Sequence, residues 1–152
     1  MATIRLSTDI AAGPAVCFDL ARSVEAHVDS TGATGERAVA GVTSGLLGLG
    51  DEVTWRACHF GIVQDFTSRI TAFDRPRHFR DEMVRGAFRR VVHDHHFEAL
   101  AGGTRMVDVF DFAAPWGLLG TFAERLFLTA YLASFLETRA AVLKRLAEAD
   151  GP

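Results

Sequence analysis

The C-terminal segment of the chain, residues 116–150, has the pattern that most restricts the possible fold. Mostly apolar residues recur there every three to four positions, which is the period of one face of an α-helix. The repeating positions are Phe122, Leu126, Thr129, Leu132/Ala133, Leu136, Ala140, Leu143 and Leu146/Ala147. The pattern predicts one amphipathic helix of about seven turns. Its apolar face must be covered by a second layer of structure.

The part of the chain before this segment has the periodicity of strands, apart from one helical stretch. Residues 3–11 alternate between apolar and polar side chains, as in a half-buried strand. Gly13-Pro14 begins a helical segment over residues 14–30, which can divide into two short helices. Six more strands are predicted over residues 36–43, 51–60, 62–73, 79–85, 88–100 and 104–113. The turn sequences DRPR, RGA and AGG join the last four of them, which indicates an antiparallel meander.

The order of these elements predicts the fold class. It reads strand, helical segment, six strands and long helix, which is an α+β arrangement. A twisted antiparallel sheet of this kind has one face to cover, and the C-terminal helix is long enough to lie across it. The chain of 152 residues has the length of one domain, so we expect residues 1–152 to form a single domain.

Charge and composition argue against several classes of function. The net charge is −3 and the basic residues are scattered, apart from a short run over residues 85–90, so nucleic-acid binding is not expected. Arg5 and Asp9 interrupt the N-terminal segment, and no stretch reaches the roughly 18 apolar residues of a membrane span. Cys17 and Cys58 lack CxxC spacing and are expected to be reduced thiols. We therefore expect a cytoplasmic protein without a membrane span.

The segment SGLLGLG, residues 44–50, is unusual for a loop between two strands, because turns are normally polar. Its three leucines either fold onto the core or form an apolar lip over a binding site. The glycines are not followed by the Lys-Ser/Thr pair of a phosphate loop. The segment is therefore not a nucleotide site, and no cofactor is predicted.

The segment VVHDHHFE, residues 91–98, contains three of the six histidines of the chain. On a strand, successive side chains point to opposite faces of the sheet. The apolar side chains of Val91 and Phe97 indicate that the odd positions face inward, which places His93 and His95 inside. The even positions, Asp94, His96 and Glu98, are then expected to face solvent.

Two aspartates on the neighbouring strands are expected to pair with the inward histidines. A turn near Gly86 sets Asp81 opposite His93, and a turn at 102–103 sets Asp108 opposite His95, if a one-residue bulge is allowed. A buried carboxylate is costly unless it is paired, so Asp81–His93 and Asp108–His95 are the predicted pairs. These pairs either shape a polar pocket or perform acid–base chemistry, for which His93, His95, Asp81 and Asp108 are the catalytic candidates.

Metal binding is a third interpretation of the same histidines. His93 and His95 could both reach one ion, with His59 as a third ligand. The strand order places His59 far across the sheet, and the chain has no HExxH motif or cysteine pair. No metal site is therefore predicted. His27 and Glu36 are further polar candidates for the mouth of a cavity.

The whole chain resembles the START, polyketide-cyclase and pollen-allergen superfamily, also known as SRPBCC. The resemblance rests on the element order, on the closing helix and on four segments. They are GDEVTW at 50–55, HFG at 59–61, ITAFDRPRHFRDEMVRG at 70–86 and HDHHFEALAGGTRM at 93–106. The segments are most similar to the bacterial cyclase/dehydrase-like, ligand-binding branch. The resemblance implies the helix-grip fold, in which a curved antiparallel sheet wraps around a long C-terminal helix in the order β-α-α-β6-α.

The resemblance also implies a deep, mostly apolar cavity between the sheet and the long helix, and it brings no universal catalytic residue with it. The leading hypothesis is the binding of a hydrophobic or aromatic small molecule, such as a lipid-, polyketide- or hormone-like compound. The residues predicted to bind it are Trp55, His59, Phe66, Phe79, Asp81, Met83, His93, His95, Phe97, Met106, Asp108, Phe110, Leu132 and Leu136. Ser68 is expected to line the same cavity.

Two alternatives remain open at this point. The chain is an aromatase/cyclase- or dehydratase-like enzyme if a histidine of the cluster, held by its aspartate, removes a proton next to a carbonyl of the bound ligand. It is a protein-interaction module without a ligand if the loop 44–50 and the segment WGLLG at 116–120 form a protein contact. A filled cavity and a large apolar patch would point to the interaction module. The sequence also allows a homodimer.

Overall fold

Seven strands form one antiparallel sheet in the computed structural model, which describes residues 1–115 and 127–149. The strands are β1 (Ala2–Ile10), β2 (Arg37–Gly41), β3 (Glu52–His59), β4 (Ile62–Asp74), β5 (His78–Arg85), β6 (Arg90–Leu100) and β7 (Gly103–Ala113). Their order across the sheet is β1-β7-β6-β5-β4-β3-β2. Strands β2 to β7 therefore form the predicted meander, and β1 pairs with the last strand.

Two short helices follow β1, which is one of the two arrangements predicted for the helical segment 14–30. Helix α1 (Pro14–Ala21) has Pro14 in its first turn, where the missing N–H of proline is no loss. Helix α2 (Val24–Ser30) has Ser23 as its N-cap, and the Ser23 hydroxyl accepts a hydrogen bond from the Ala26 N–H at 3.2 Å. A 3-10 turn (Gly32–Thr34) then leads into β2.

The long C-terminal helix, α3 (Thr129–Ala149), contacts β1, α1 and α2. Its buried residues follow the predicted apolar repeat. They are Leu132, Leu136, Ala140, Leu143 and Ala147. The earlier part of the predicted helix, with Phe122, Leu126 and the segment WGLLG, lies outside the described residues. Across residues 1–115 and 127–149, no helix combines the length and the apolar composition needed to cross a membrane.

The core lies between the sheet and the helices, with Phe18 of α1 at its centre. Phe18 is completely buried and meets Phe73, Phe79 and Phe97 edge to face, with ring centroids 5.2–5.3 Å apart. Edge-to-face contacts of this kind add to the stability gained from burying the rings. The sheet face that carries these rings is therefore the one that the helices cover.

The sheet is curved, and it wraps around the long helix. Irregularities in strand pairing lie between β2 and β3 at Ala38/Ala40, and between β4 and β5 at Thr67/Ser68 and Ile70/Ala72. Such bulges bend a strand and increase its twist. The predicted α+β class and the helix-grip arrangement are both confirmed.

The three leucines of the loop 44–50 separate into two environments. Leu47 is buried in the core, whereas Leu46 and Leu49 are exposed. Gly45 and Gly50 have positive φ angles of 82° and 85°, which let the loop turn between these environments. The loop thus folds onto the core through one leucine and presents the other two to solvent.

Candidate functional site

A cavity of about 130 Å³ lies between the inner face of the sheet and α3. Its apolar lining comes from β3, β4, β6, β7 and α3 and from the turn before β6, and consists of Trp55, Ala57, Phe66, Ala87, Phe88, Val91, Phe110, Leu132, Phe135 and Leu136. A smaller compartment of about 50 Å³ adjoins it. The lining shared by the two compartments is mostly polar: His27, Trp55, Ser68, Asp81, His93 and Arg139. The cavity therefore has an apolar body and a polar inner end.

The four residues of the predicted aspartate–histidine cluster come together at this inner end. Asp81 lies directly opposite His93 on β5 and β6, and His95 lies directly opposite Asp108 on β6 and β7. The turn after β6 consists of two residues, 101–102, so the register needs no bulge. The predicted positions are therefore observed, without the expected irregularity.

One of the two predicted pairs is wrong. Asp81 is hydrogen-bonded to His95, with 2.9 Å between Oδ2 and Nε2, and not to His93. The Nε2 atom of His93 is instead 3.1 Å from Oδ1 of Asp108. Diagonal neighbours on adjacent strands are within reach of long side chains, and strand register alone does not distinguish them from directly opposed residues.

The His95 ring is held between two carboxylates. Its Nε2 atom faces Asp81, and its Nδ1 atom is 2.9 Å from Oδ1 of Asp108. Burial alone would lower the pKa of His95, but the hydrogen bonds and charges of Asp108 and Asp81 raise it to about 9. His95 is therefore an imidazolium at neutral pH, whose Nε2–H donates to Asp81 and whose Nδ1 side forms an ion pair with Asp108.

His93 has the opposite charge state. Burial and the neighbouring charge of His95 lower the pKa of His93, so its imidazole is neutral. Its Nε2–H donates to Asp108, which leaves Nδ1 as the unprotonated nitrogen. Within the part of the chain that the structure describes, Nδ1 takes part in no hydrogen bond. His93 lines both compartments and is the member of the cluster able to accept a proton.

The carboxylate of Asp108 holds this arrangement together. Burial alone would raise the pKa of Asp108, but its hydrogen bonds to His93 and His95 keep that pKa well below its usual range. Asp108 lies behind the two histidines and outside the cavity lining. Its contacts with both rings hold them in position.

The outer face of β6 differs in part from the expectation. Asp94 was expected to face solvent but is buried, because side chains from β5 cover it. Arg80 donates to both of its oxygens at 2.8 and 2.9 Å, and the Nε2 of His78 lies 2.6 Å from Oδ1. His96 and Glu98 are exposed, as expected. The separation of His96 from the inner cluster is thus observed.

A second polar group lines the cavity opposite the cluster. The Nε2 atom of His27 lies 2.7 Å from Oε1 of Glu36, and the His27 ring stacks on Trp55 with centroids 3.9 Å apart. Burial and the charge of Arg139 lower the pKa of His27 more than Glu36 raises it. His27 is therefore a neutral ring that packs on one wall of the cavity, and the candidates His27 and Glu36 both lie in the lining.

Arg139 of α3 also reaches the cavity, and it was not among the residues predicted from the sequence. It lines both compartments, and its Nε atom is buried without a hydrogen-bond partner among the described residues. The signal that could have identified Arg139 is its position, three residues after Leu136 on the inward face of the predicted helix. An arginine within an apolar stripe brings hydrogen-bond donors into a mostly apolar surface, where a buried donor requires a partner.

Two groups of side chains among the described residues are close enough to hold a metal ion. In the first, ligand atoms of Asp81, His93 and His95 lie within 4.8 Å of one another. His59, the third ligand considered from the sequence, is hydrogen-bonded through Nδ1 to the hydroxyl of Tyr131 at 2.6 Å and belongs to neither group. The second group lies on the outer face of the sheet and consists of His78, Asp94 and His96.

The structure places most of the predicted ligand-binding residues in the two compartments. Those in the lining are Trp55, His59, Phe66, Phe79, Asp81, His93, His95, Phe110, Leu132 and Leu136. Those outside it are Met83, Phe97, Met106 and Asp108. Phe97 and Met106 pack in the core beneath α1, and Met83 is half-buried at the end of β5. Phe88, Val91 and Phe135 take part in the lining without having been predicted.

Residues 1–148 match the model of a protein family described as polyketide cyclase/dehydrase and lipid transport. The match includes all the strands and helices described above, apart from Ala149 at the end of α3, and all the residues that line the cavity. No curated protein sequence matches the chain.

Solved structures with a similar fold cover nearly the whole chain. The TTHA0849 protein of Thermus thermophilus has a TM-score of 0.80 at 18% identity, over 99% of this chain and 100% of that one. The Zhui aromatase/cyclase of Streptomyces sp. R1128 has a TM-score of 0.77 at 16% identity, over 97% and 93%. Major latex-like protein 151 of Panax ginseng has a TM-score of 0.71 at 18% identity, over 96% and 97%. At these identities the likeness establishes the fold.

Proposed function

Because the chain belongs to the polyketide cyclase/dehydrase and lipid transport family, we propose that it binds a small hydrophobic or aromatic molecule in the cavity between the sheet and α3. The family membership confirms the resemblance to the SRPBCC superfamily. The observation that carries the proposal is the cavity itself, with its aromatic walls and its polar inner end. A few polar groups in a mostly apolar cavity orient a ligand.

The size of the cavity supports a compact ligand. An apolar cavity of roughly 150 Å³ is large enough to take up benzene. The main compartment of about 130 Å³ has that scale, and its lining includes the exposed residues Asp65 and Ala87, so that it reaches solvent. We infer a ligand whose buried part is one ring or a group of similar bulk.

Native mass spectrometry of the protein purified from its own cells tests the proposal. We expect a co-purifying small molecule. In the variant Ala57→Phe a ring occupies part of the cavity, because Ala57 is buried in the lining, and the bound fraction should fall strongly. The variant Ala141→Phe, on the exposed face of α3, should retain the ligand. Absence of any bound molecule in repeated wild-type preparations would argue against the proposal.

Acid–base catalysis on the bound molecule is the second candidate function. It is favoured by the His93–Asp108 dyad, in which a neutral imidazole with a free Nδ1 faces the cavity and a buried carboxylate fixes its tautomer. One of the proteins with a similar fold is named as an aromatase/cyclase. A ligand that is chemically changed on incubation, with the change abolished in His93→Gln, would support catalysis. A ligand recovered unchanged would favour binding alone.

The open cavity argues against the third hypothesis, a protein-interaction module without a ligand, because a filled cavity was expected for such a module. Ligand binding explains the cavity, and a protein contact does not. A cytoplasmic location is part of the proposal, since Cys17 and Cys58 are both free thiols.

A further inference from the structure

The Nε–H of Arg139 is a buried donor whose partner is not supplied by the described residues. A buried donor without a hydrogen bond loses its interaction with water and gains nothing in return, so nearly all such groups in folded proteins have a partner. The side chain extends from α3 into the lining of both compartments. The cavity that this side chain lines is the space from which a partner for the donor can enter.

The acidic side chains near Arg139 are already engaged by histidines. Glu36 and Asp81 both interact electrostatically with Arg139. Glu36, however, is hydrogen-bonded to His27 at 2.7 Å, and Asp81 is hydrogen-bonded to His95 at 2.9 Å. These bonds hold the two carboxylates at the cavity wall, and neither carboxylate is hydrogen-bonded to the Nε–H of Arg139.

The charge around this space decides what kind of atom fits. Three carboxylates, Glu36, Asp81 and Asp108, have pKa values below their usual range, because their hydrogen bonds to histidines outweigh the effect of burial. The cations that line the same space are Arg139, the His95 imidazolium and Arg22, and Arg22 is already paired with Asp19. The inner end of the cavity thus already has more negative than positive charge. A ligand carboxylate would add to this excess, whereas an uncharged acceptor would not.

We propose that Arg139 is a ligand-recognition residue whose Nε–H donates a hydrogen bond to an uncharged carbonyl oxygen of an aromatic ligand. The inference rests on the proposed binding function and adds the chemical class of the ligand. The ring of the ligand occupies the compartment between Phe66, Phe110 and Leu136, and its carbonyl group points to the inner end. A carbonyl held there lies in the same compartment as His93, the neutral base of the dyad.

Three single-ring probes of nearly equal shape test the inference on the wild-type chain. Acetophenone has a carbonyl oxygen, α-methylstyrene has a methylene group in its place, and benzoate has a carboxylate. Binding is followed by two-dimensional NMR titration of the 15N-labelled protein. We expect acetophenone to bind about tenfold more tightly than either other probe, as a hydrogen bond to a charged donor implies.

The variants locate the effect. In Arg139→Met the preference for acetophenone over α-methylstyrene should disappear, and Arg139→Lys should retain part of it. Arg145→Met removes an exposed arginine from the same helix and should leave the preference unchanged. The wild-type series decides the question even if Arg139→Met fails to fold. Equal affinities for acetophenone and α-methylstyrene, or tightest binding of benzoate, would overturn the inference and leave the binding function standing. Binding of none of the probes would overturn both.

Discussion

The Nε2 atom of His93 lies 3.1 Å from Oδ1 of Asp108, although the residue directly opposite His93 on β7 is Phe110. The dyad is therefore diagonal across the two strands. The same oxygen of Asp108 also lies 2.9 Å from Nδ1 of His95, with which it forms an ion pair. One carboxylate oxygen thus orients two rings that have different charges.

The variant Asp108→Asn should strongly destabilise the protein. It keeps the size of the side chain but removes the negative charge that faces the His95 imidazolium, and breaking a buried pair in this way costs about 3 kcal/mol. Urea denaturation measures the change in the free energy of unfolding. The matched control is Asp111→Asn, a half-exposed position of the same strand, where a change of about 0.5 kcal/mol is expected. Equal losses at the two positions would show that the buried ion pair does not contribute more to the free energy of unfolding than a half-exposed aspartate.

Stability should fall at alkaline pH because of His95. Its pKa is raised from 6.5 to about 9 in the folded protein. Protonated His95 therefore contributes its full stabilisation to the folded state below pH 6.5. This contribution to the free energy of unfolding, about 3 kcal/mol, is lost as the pH rises through 9. The burial of Cys17 also raises its thiol pKa and destabilises the folded state at high pH. The quantity to measure is consequently the difference between wild type and His95→Gln, by urea denaturation from pH 6.5 to pH 10. A difference that does not change with pH would contradict the prediction.

The aromatic centre of the core predicts a large effect for Phe18→Ala. Phe18 is fully buried and packs against Phe73, Phe79 and Phe97, so truncation loses its apolar contacts and leaves a cavity. Such a change costs about 4 kcal/mol. Phe60→Ala removes a ring that is 64% exposed, and it should change stability by less than about 1 kcal/mol. Thermal unfolding compares the two variants, and a small loss in Phe18→Ala would mean that the core repacks.

The close approach of β1 and β7 predicts that Gly103 tolerates no side chain. A Cβ atom at this position would overlap the carbonyl oxygen of Ile10, so the backbone would have to shift. We expect Gly103→Ala to lower the free energy of unfolding by about 2 kcal/mol. Gly32→Ala is the control, since a Cβ atom there meets nothing within 4 Å. Native-state hydrogen exchange should also show faster exchange in β1 of Gly103→Ala, and unchanged exchange would place the strain elsewhere.

Much of the fold could be predicted from periodicity alone. The alternation over residues 3–11, the meander and the apolar repeat from Leu132 to Ala147 all correspond to observed elements. The period of two also identified which histidines face inward, because burying alternate side chains leaves little freedom in register. His93 and His95 are both buried as a result.

The hydrogen bonds of the site could not be predicted in the same way. Register states which residues are opposite, but the choice between Asp81 and Asp108 as the partner of His93 depends on side-chain rotamers. The burial of Asp94 depends on how Arg80 closes over it from the next strand. To predict that Arg139 belongs to the site, one would have to know that the inward face of α3 meets a cavity and not a filled core.

The pairing of β1 with β7 has a consequence for how the protein is made. Thr3 and Asp111, which are hydrogen-bonded across this pair, are 108 positions apart. At a synthesis rate of roughly 10 residues per second, β1 leaves the ribosome about ten seconds before its partner strand. Helix α3, which also packs on β1, follows later still. The earliest strand of this sheet thus waits longest for its neighbour, and a nascent chain interrupted before β7 leaves β1 complete but without a neighbour in the sheet.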